Sequence, residues 1–454
     1  MSDRSPHRTE GPVSNWQSML VRKFDERRAV ICVIGLGYVG LPLALAAARA
    51  GFTVLGLDID PAKVHRLNQG ESYMRPVVAD EVAAYTRTGR LVASTDFSKV
   101  AKADAIILCL PTPLNRHRDP DLSFIVKAVE SIVPHLRSGQ LVVLESTTYP
   151  GTTSGIVKPL LESTGLKSEG DFLLAYSPER EDPGNSSFTT STIAKVVGGD
   201  GPNALQAARA LYDRIVVQTI PVSSLDTAEA VKLTENIFRA VNIALVNELK
   251  IVFDAMKIDI WEVIEAAKTK PFGYMPFYPG PGLGGHCVPI DPFYLSWRAR
   301  EFGVSTRFIE LAGEINRDMP SRVVSRTIDF LNRQAARPLN GAKVLLIGVA
   351  YKKNVDDTRE SPALRIGELL EGHGTMVMFH DPFVPMLSPD EGLPGFRESV
   401  SLTEELVRSC DAVMICTDHD NIDYGKLVDW ARLVVDTRNA CAQRGLFGAH
   451  IVKA

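Results

Sequence analysis

The residues best suited to covalent chemistry lie in residues 278–297, a segment rich in glycine and proline around one cysteine, Cys287. Such a run forms neither a regular helix nor a central strand, because glycine is conformationally loose and proline lacks an N–H donor, so the pattern predicts a loop. Glycine also lets main-chain N–H groups come close to a ligand. Asp291 follows four residues after the cysteine. The segment therefore indicates a nucleophile loop, and the alternative is a small apolar cysteine buried on a tight turn.

A second candidate pair, Lys232 and Asn236, lies in a helical pattern that runs from residue 226 to about residue 268. Residues four apart share one side of a helix, so the two side chains can converge on one point; the alternative is that both are solvated. Asp226 and Glu229 have the spacing of a capping box and predict where the helix begins. A helix of this length between two α/β regions also predicts a dimer surface.

A dinucleotide fingerprint lies near the start of the chain. An apolar run over residues 29–34 predicts a buried parallel strand. It is followed at once by Gly35, Gly37 and Gly40 in the pattern GxGxxG, and then by an alanine-rich helix over residues 41–50. In this order, the glycines permit a tight turn and bring a pyrophosphate close to the helix N-terminus.

The second predicted strand, residues 53–57, ends at Asp58, where a carboxylate can accept hydrogen bonds from a ribose diol. An acidic residue here argues for NAD over NADP, whose extra phosphate it would repel. Asp60 is a rival acceptor, although Pro61 indicates that Asp60 opens the next helix. Lys63 either lies beside the adenosine end or is a solvated helix lysine.

Further apolar runs predict strands at residues 105–110, 141–144, 172–176 and 194–197. The carboxyl ends of parallel strands form the edge at which open α/β sheets bind ligands. Three such ends carry polar or turn-forming residues, at residues 111–113, 145–147 and 177–180. We predict that these three segments converge on a cofactor crevice.

A second α/β pattern begins with a strand at residues 343–348 and continues with strands at residues 375–379, 411–416 and 433–435. It keeps only Gly348 of the triple-glycine pattern, so we expect it to hold a nucleotide in another way. Lys352 and Arg359 lie in a charged tract after the first strand, where they can meet phosphates. Two such halves imply two nucleotide ligands, of which one is NAD and the other is the nucleotide part of the substrate.

The predicted fold class is α/β, with two Rossmann-like doubly wound domains joined by a long central helix. The predicted division is a loosely ordered polar extension (residues 1–27), an NAD-binding Rossmann domain (28–222), a central helical domain with the cysteine loop and the dimer surface (223–332) and a second Rossmann-like domain (333–454).

Composition limits the classes of function. The chain has 454 residues, of which 45% are hydrophobic and 23% charged, as expected of a soluble multidomain protein. A net charge of −4 without a basic stripe argues against nucleic-acid binding, and no apolar run has the length of a membrane span. The six cysteines are scattered, with no metal-ligand spacing, which predicts reduced thiols, a cytoplasmic location and no metal site.

Together these residues resemble the UDP-glucose/GDP-mannose dehydrogenase family over about residues 29–450, and most closely its UDP-N-acetylglucosamine 6-dehydrogenase branch. The similarity rests on ordered motifs, namely Gly35-x-Gly37-x-x-Gly40, Pro111-Thr112-Pro113, Glu145-Ser146-Thr147, Pro178-Glu179-Arg180, Lys232-x-x-x-Asn236, Gly284-Gly285-His286-Cys287 with Asp291, and Tyr351-Lys352 through Ser361. The family converts a nucleotide sugar to its uronic acid with two NAD+. The resemblance thus implies NAD as cofactor, a nucleotide-sugar substrate and a homodimer or higher homo-oligomer.

The resemblance also implies roles for individual residues. The catalytic set has Cys287 as nucleophile, Lys232 and Asn236 as oxyanion stabilisers, and Asp291, Glu179 and Thr147 as the group that activates water. The NAD set is Gly35, Gly37, Tyr38, Val39, Gly40, Asp58, Lys63, Thr112, Thr147 and Arg359. The set for the nucleotide sugar is Glu179, Arg180, Lys232, Asn236, Tyr278, Gly282, Gly284, Tyr351, Lys352 and Arg438.

A thiolate explains how an alcohol can be taken as far as an acid. It traps the aldehyde as a thiohemiacetal, and a second oxidation gives a thioester that activated water hydrolyses. UDP-glucose enzymes have serine where this chain has His286, and their substrate-contacting arginine has no evident match between residues 271 and 279, so UDP-N-acetylglucosamine is favoured over UDP-glucose. The N-acetylated epimers remain alternatives. A two-electron hydroxyacid-type dehydrogenase, a nucleotide-sugar epimerase and a non-catalytic NAD-binding protein are the more distant ones.

Overall fold

The structure, a computed structural model, describes residues 15–74, 77, 79–115, 119–180, 191–285, 288–335, 337–388 and 397–454. The chain forms two compact units, Met1–Thr234 and Glu235–Ala454. Each unit is built on a largely parallel sheet with apolar cores on both faces. This confirms the α/β class with two Rossmann-like domains.

The sheet of the first unit contains eight strands within the described residues: β1 (Val30–Ile34), β2 (Thr53–Leu57), β3 (Leu91–Ser94), β4 (Ala105–Leu108), β5 (Leu141–Leu144), β6 (Leu173–Tyr176), β7 (Lys195–Gly199) and β8 (Thr219–Pro221). Their order is β3-β2-β1-β4-β5-β6-β7-β8, and the β6–β7 pair is antiparallel. Ile31 pairs with Val54 on β2 and with Ala105 on β4. The strand order reverses between β1 and β4, which is the point where such sheets bind ligands.

Strand β1 shows why its sequence reads as one apolar run. Ile31 and Val33 belong to the core on one face of the sheet, whereas Cys32 and Ile34 belong to the core on the other. Both faces of a parallel sheet are covered, so a polar residue has no solvated side to occupy.

The helices of the first unit are α1 (Asn15–Asp25), α2 (Gly40–Arg49), α3 (Pro61–Asn68), α4 (Ala79–Arg87), α5 (Ser123–Ile132), α6 (Lys158–Glu162) and α7 (Pro202–Tyr212). Helix α1 buries Leu20 and Phe24 in the core. The expectation of a loosely ordered extension is therefore wrong for residues 15–25. The spacing of Leu20 and Phe24, which places both on one side of a helix, is the signal that was overlooked.

The predicted helix over residues 226–268 is in fact two helices, α8 (Leu225–Met256) and α9 (Ile260–Ala267). Lys257 has a φ of +60°, which ends α8, and Asp259 caps α9 by accepting the N–H of Trp261. Helix α8 runs from the first unit into the second.

The predicted capping box at the start of α8 is also wrong. Ser224 accepts the N–H of Thr227 at 3.1 Å and so occupies the capping position, and the helix begins at Leu225. Glu229 is free of any capping role because it bonds to a segment distant in sequence, described below.

The sheet of the second unit is parallel in the order β10-β9-β11-β12-β13, with β9 (Lys343–Ile347), β10 (Met376–His380), β11 (Ala412–Ile415), β12 (Val434–Asp436) and β13 (Ile451–Lys453). Its remaining helices are α10 (Asp291–Glu301), α11 (Arg307–Phe330), α12 (Pro362–Gly372), α13 (Glu404–Ser409), α14 (Tyr424–Trp430) and α15 (Ala440–Gln443). The predicted strands agree to within two residues at each end, but β3, β8 and β13 were not predicted.

The cysteine segment is not a loop throughout. Residues 278–285 lack regular structure, as predicted, but α10 begins at Asp291 with Pro292 in its first turn. The loop prediction is therefore wrong for residues 291–297. An Asp-Pro pair commonly starts a helix, because proline at the first turn loses no hydrogen bond.

Candidate functional sites

The glycines after β1 fit a dinucleotide. Gly35 has a φ of +88°, and a Cβ there would overlap the Cys109 carbonyl oxygen. A Cβ on Gly40 would overlap the carbonyl of Gly35, so both must be glycine for the turn to close against the sheet. A Cβ on Gly37, in contrast, would meet no atom of the described residues within 4 Å. Open space over Gly37, next to the N-terminus of α2, suits a pyrophosphate.

Asp58 and Asp60, the two candidate ribose acceptors, have different partners. Asp60 caps α3, since its Oδ1 accepts the N–H groups of Ala62 (2.8 Å) and Lys63 (3.4 Å). Asp58 accepts the N–H of Leu36 at 2.9 Å on Oδ2 and that of Asp60 at 3.0 Å on Oδ1. Lys63 Nζ lies 3.8 Å from Asp58 Oδ2. The cap role of Asp60 favours Asp58 as the acceptor that faces a ligand.

The ends of β4 and β5 lie side by side, as predicted. Leu110 N–H donates to Ser146 Oγ at 2.8 Å, and the Tyr176 hydroxyl donates to Ser146 O at 3.2 Å. Thr112 is buried and Thr147 is half-buried after these strand ends. The two threonines predicted to contact NAD thus follow neighbouring strands of the same sheet edge.

Glu179 and Lys232 form a close pair in the first unit. Lys232 Nζ donates to the main-chain oxygen of Glu179 at 2.6 Å and lies 3.6 Å from its Oε2. Burial raises the pKa of the Glu179 carboxyl, while the charges of Lys232 and Lys195 act in the opposite direction. A carboxyl whose pKa is raised in this way is suited to general-base chemistry.

A buried network that the sequence analysis missed lies beside this pair. Lys195 Nζ donates to Glu145 Oε2 at 2.8 Å, and the Tyr212 hydroxyl donates to Glu145 Oε1. All three side chains are buried. Lys195 is the first residue of an otherwise apolar strand, and a charge in that position is the signal that could have found it.

Glu229 was also missed as a long-range acceptor. Its carboxylate accepts the N–H groups of Gly151 (2.7 Å) and Thr153 (2.9 Å) and the hydroxyls of Thr148 (3.1 Å) and Thr153 (2.7 Å). Burial raises the pKa of Glu229 from 4.5 to about 7, against these hydrogen bonds. Glu229 therefore fastens α8 to the turn that follows Thr147.

In the second unit two of the predicted site residues, Asn236 and Asp291, meet, although they were not predicted as a pair. Asn236 Nδ2 donates to Asp291 Oδ2 at 2.5 Å, and both side chains are buried. Lys232 lies one turn before Asn236 on α8. Cys287 and His286 lie outside the described residues.

The glycine loop before Cys287 is held by neighbouring amides. Gly280 N–H donates to Asn247 Oδ1 at 3.0 Å, and Asn247 Nδ2 donates to Asn316 Oδ1 at 2.9 Å. Gly285 N–H donates to Arg359 O at 2.9 Å, and Gly285 has a φ of +86°. The loop therefore has a defined path up to Gly285. Gly282 and Gly284, predicted to contact substrate, pack against Pro362.

The predicted phosphate-binding side chains differ in their surroundings. Arg438 Nε donates to Cys416 O at 2.8 Å. Burial lowers the pKa of its guanidinium, so a nearby anion would stabilise the charged form. Lys352 is half-buried. Arg359, predicted to reach toward NAD, forms an ion pair with Asp357 at 2.6 Å.

The two tyrosines predicted to contact substrate are placed as follows. Tyr351 packs on the glycine loop, where a Cβ on Gly285 would lie 2.9 Å from its ring. Tyr278 stacks on Trp261 with ring centroids 5.7 Å apart, and its hydroxyl donates to Glu265 Oε1 at 2.8 Å. Arg180 Nη1 donates to Ala194 O at 2.7 Å.

The fold and the first unit define an NAD-binding protein of the Rossmann class. Models of the UDP-glucose/GDP-mannose dehydrogenase family match the chain in three parts: the NAD-binding domain over residues 29–216, the central domain over 226–318 and the UDP-binding domain over 345–443. The chain therefore belongs to this family, and it is an NAD-dependent oxidoreductase that acts on an alcohol group of a nucleotide sugar. The resemblance and the predicted cofactor are confirmed.

Individual relatives carry names for different sugars. The chain is 38% identical over 356 residues to a UDP-N-acetyl-D-glucosamine 6-dehydrogenase of Pseudomonas aeruginosa, which covers 78% of this chain and 83% of the relative. It is 35% identical over 430 residues to an NDP-N-acetyl-D-galactosaminuronic acid dehydrogenase of Ralstonia solanacearum, and the match covers 92% of this chain and 97% of the relative. The structure of a UDP-D-ManNAc dehydrogenase of Pyrococcus horikoshii matches with a TM-score of 0.84 at 31% identity, with 93% and 98% covered.

The described residues contain no helix that combines the length and apolar character needed to cross a bilayer.

Proposed function

We propose that the chain oxidises the C6 hydroxyl of UDP-N-acetylglucosamine to a carboxylate with two NAD+, by way of a thiohemiacetal and a thioester on Cys287. The observations that support this proposal are two pairs of side chains, Lys232 with Glu179 in the first unit and Asn236 with Asp291 in the second. A cation, an amide and two carboxylates are what an oxyanion and an activated water require.

Each residue then has one task. Cys287 attacks the aldehyde carbon, and Lys232 and Asn236 donate to the oxygen that becomes negative as the carbonyl carbon turns tetrahedral. In the last step a carboxylate, Glu179 or Asp291, takes a proton from the water that attacks the thioester, with Thr147 as a hydrogen-bonding partner. The raised pKa of Glu179 supports it as the base.

The first unit holds NAD+, which supplies the hydride acceptor for both oxidations. The residues that would hold it are the glycines around Gly37, the N-terminus of α2, and Asp58 at the ribose, with Lys63 near that carboxylate. The nucleotide of the substrate is assigned to the second unit, where Arg438 and Lys352 would bind the diphosphate. Burial disfavours the charged form of the Arg438 guanidinium, and a phosphate anion beside it would favour that form again, which supports this assignment.

The sugar is assigned from the glycine loop and the relatives. The sequence favours an N-acetylated sugar, and the relative at 38% identity is named for UDP-N-acetyl-D-glucosamine. The same reaction on UDP-N-acetylgalactosamine or UDP-N-acetylmannosamine is the alternative. Relatives at 34% and 35% identity are named UDP-N-acetyl-D-mannosamine dehydrogenase and NDP-N-acetyl-D-galactosaminuronic acid dehydrogenase. A pocket that fits an acetamido group leaves unpaired groups when it meets a 2-hydroxyl, so UDP-glucose should be the poorest substrate.

The three functional parts are assigned to residues 28–222, 223–332 and 333–454, and the family models at 29–216, 226–318 and 345–443 support this division. The protein is assigned to the cytoplasm, in keeping with the free thiols of Cys32, Cys109, Cys410, Cys416 and Cys441.

A homodimer through α8 completes the proposal. Phe238, Leu245 and Val252 are exposed on α8 at seven-residue spacing, which makes an apolar stripe suited to a second copy of the same helix. Light scattering after gel filtration tests this assignment. Leu245→Glu should give monomers, and an unchanged mass would remove α8 from the interface.

The experiment that tests the function is the yield of NADH per mole of four substrates: UDP-N-acetylglucosamine, its galacto and manno epimers, and UDP-glucose. The proposal predicts two NADH per sugar and the highest kcat/KM with UDP-N-acetylglucosamine. One NADH per sugar would contradict the thioester route. A higher kcat/KM with another sugar would overturn the substrate and leave the chemistry in place.

Cys287→Ser is the matched variant for the covalent step. An oxygen ester hydrolyses more slowly than a thioester, so intact-protein mass spectrometry should find the sugar nucleotide attached to the variant after incubation with NAD+. Cys287→Ala should form no uronic acid. Near wild-type yield from Cys287→Ala would show that another group carries the intermediate.

A further inference from the structure

The buried charges of Lys195 and Glu145 lie at the same sheet edge as Glu179, although they come from different strands. Glu145 follows β5, and Lys195 begins β7, which runs antiparallel to β6 and so starts at the edge where β5 and β6 end. Tyr212, the last residue of α7, donates its hydroxyl to Glu145. Burial and the Glu145 charge raise the pKa of Tyr212 well above its usual value, so this hydroxyl stays protonated and remains a donor.

The same strand also holds the segment that carries Glu179. Lys195 Nζ lies 3.4 Å from Pro178 O, Ser177 Oγ donates to Val196 O at 2.7 Å, and Arg180 Nη1 donates to Ala194 O at 2.7 Å. Residues 177–180 are thus fastened to the start of β7 at three successive points. On the β7 side of these three contacts, Lys195 is the residue whose side chain carries a charge.

A small pocket brings these groups together. Glu145, Glu179 and Lys195 line it, while α2 and the residue before it contribute Val39 and Leu43. The charged groups that act on Glu179 are Lys232 from α8, Lys195 from β7 and Glu145 from the end of β5, with Arg180 next to it in the chain. The first turn of α2 adds no charge here, so among the described residues the charges that act on the Glu179 carboxyl are those of Lys232, Lys195 and Glu145.

We propose that Lys195 and Glu145, with Tyr212 as the donor that fixes Glu145, are positioning residues that set the protonation state of Glu179 and the place of its segment. This inference rests on the proposed role of Glu179 in activating water. Lys195 offsets the charge of Glu145, which would otherwise repel the Glu179 carboxylate, and it attracts that carboxylate itself.

The charges predict effects of opposite sign. Lys195→Met removes the cation and leaves Glu145 to repel Glu179, so the pKa of Glu179 rises. Glu145→Gln leaves Lys195 without its anion beside Glu179, so the pKa of Glu179 falls. The double variant removes both charges and should lie close to wild type. A contact that merely supports the fold would give no such reversal.

The first measurement is the pH profile of uronic acid formation. Ionised Glu179 is the active form, so activity falls on the acid side of the profile. Lys195→Met should move this acid limb up by about one pH unit or more, and Glu145→Gln should move it down. Lys195→Arg, which keeps the charge, should restore the wild-type limb.

The second measurement needs no turnover. Infrared difference titration of the protein follows the protonated-carboxyl band, and Glu179→Gln identifies the part that belongs to Glu179. The midpoint should shift in the same two directions as the acid limb. If no UDP-sugar yields NADH but the midpoints shift as stated, the proposed function fails and the charge coupling stands.

Lys158→Met is the matched control, because it removes one lysine charge from the same unit at the other edge of the sheet. Lys158 Nζ pairs with Asp200 Oδ2 at 2.7 Å, and Asp200 follows the end of β7 opposite to Lys195. This variant should leave the midpoint in place. Unchanged midpoints in both Lys195→Met and Glu145→Gln, or shifts of the same sign, would overturn the inference. If Lys195→Met does not fold, Glu145→Gln and the double variant still decide it.

Discussion

The two units begin with the same local arrangement and use it differently. In each, a glycine in the left-handed region follows the first strand, Gly35 with a φ of +88° and Gly348 with a φ of +79°. Each glycine N–H donates to the last residue of the neighbouring strand, and that residue is followed by an aspartate, Asp58 in the first unit and Asp381 in the second. The comparison therefore concerns two equivalent carboxylates.

Both carboxylate oxygens of Asp381 accept several hydrogen bonds from donors of the protein. Its Oδ2 accepts the N–H groups of Val349 and Ala350 and Nε2–H of His419, and its Oδ1 accepts the N–H groups of Phe383 and Val384. His419 is itself buried, with Nδ1 accepting the N–H of Asn354 at 2.9 Å, so its neutral form satisfies both partners.

Asp58 accepts fewer hydrogen bonds from the described residues than Asp381 does. It accepts two N–H groups, from Leu36 and Asp60, and its cation, Lys63, stands 3.8 Å away on a partly exposed side chain. A carboxylate has about four acceptor sites, so Asp58 can still bind a ribose diol and Asp381 cannot. An aspartate at the end of this strand can therefore bind a ligand only where the protein leaves some of its acceptor sites unoccupied.

The turns differ further along the chain. A Cβ on Gly35 would overlap the carbonyl oxygen of Cys109 and one on Gly348 would overlap that of Thr417, but a Cβ on Gly37 would meet no atom of the described residues within 4 Å. In the first unit α2 begins at Gly40, directly after the glycine turn, but α12 begins only at Pro362. The second unit therefore offers no helix N-terminus beside its glycine, and we propose that side-chain cations, Lys352 and Arg438, bind a diphosphate instead.

The largest expected effect is on stability in the second unit. Asp381→Ala should lower the free energy of unfolding by about 3–5 kcal/mol, because it leaves several buried N–H donors without an acceptor. Chemical denaturation followed by circular dichroism measures this loss. Asp58→Ala, the matched change in the first unit, should cost about 1–2 kcal/mol. Equal losses in the two variants would mean that the two aspartates have the same structural role.

Glu229, a third buried carboxylate, differs from Asp381 in the direction of its pKa shift. Burial raises the pKa of Asp381, but the hydrogen bond from His419 and the N–H donors of Ala350 and Phe383 outweigh this effect and hold that pKa below its usual value. For Glu229, the effect of burial is larger than that of its hydrogen bonds, so its pKa rises from 4.5 to about 7. The stability that neutral Glu229 contributes is therefore present below about pH 4.5 and is lost as pH rises through about 7, an interval worth about 3 kcal/mol.

Melting temperatures of wild type and Glu229→Gln between pH 4.5 and pH 8 test this sign, since glutamine does not titrate. The difference in Tm between the two proteins should move in favour of the variant as pH rises. The contribution of Asp381, in contrast, should be constant over this range and be lost only as pH falls through its lowered pKa. A difference in Tm that is independent of pH would show that Glu229 does not titrate in this range.

The smallest of these effects concerns NAD. Asp58→Ala should weaken NAD+ binding by about 10- to 100-fold, as expected when a charged acceptor of two ribose hydroxyls is lost. Asp60→Ala should cost about 1 kcal/mol of stability through the lost cap and leave NAD+ affinity unchanged. Titration calorimetry on both variants distinguishes them. Weaker binding in Asp60→Ala alone would move the ribose contact to Asp60.

The sequence was sufficient for the features that are local. Buried parallel strands are continuous apolar runs, and the glycine pattern, the position of Asp58 at a strand end and the helix start at Asp60 can each be recognised from a few consecutive residues. The strands that were missed are short edge strands, β3, β8 and β13, in which exposed or charged residues break the apolar pattern.

The rest depends on pairing across the chain. Glu229 has the spacing of a capping residue, but the donors of the turn at residues 148–153 decide its role. Lys195 and Tyr212 meet Glu145 only because β7 and α7 bring them to the end of β5. The same holds for Asp381, which no local pattern distinguishes from Asp58. Local chemistry thus predicts which residues can bind, and tertiary contacts decide which remain open to a ligand.

We propose that the first unit binds NAD+ through Asp58 and that the second binds the nucleotide of the substrate through Lys352 and Arg438. Titration calorimetry of Asp58→Ala and Lys352→Ala, each with NAD+ and with UDP, tests this assignment most directly. We expect a crossed result: Asp58→Ala weakens NAD+ binding and leaves UDP binding as in wild type, and Lys352→Ala does the reverse. If either variant weakens both ligands to the same extent, the assignment of one nucleotide to each unit is contradicted.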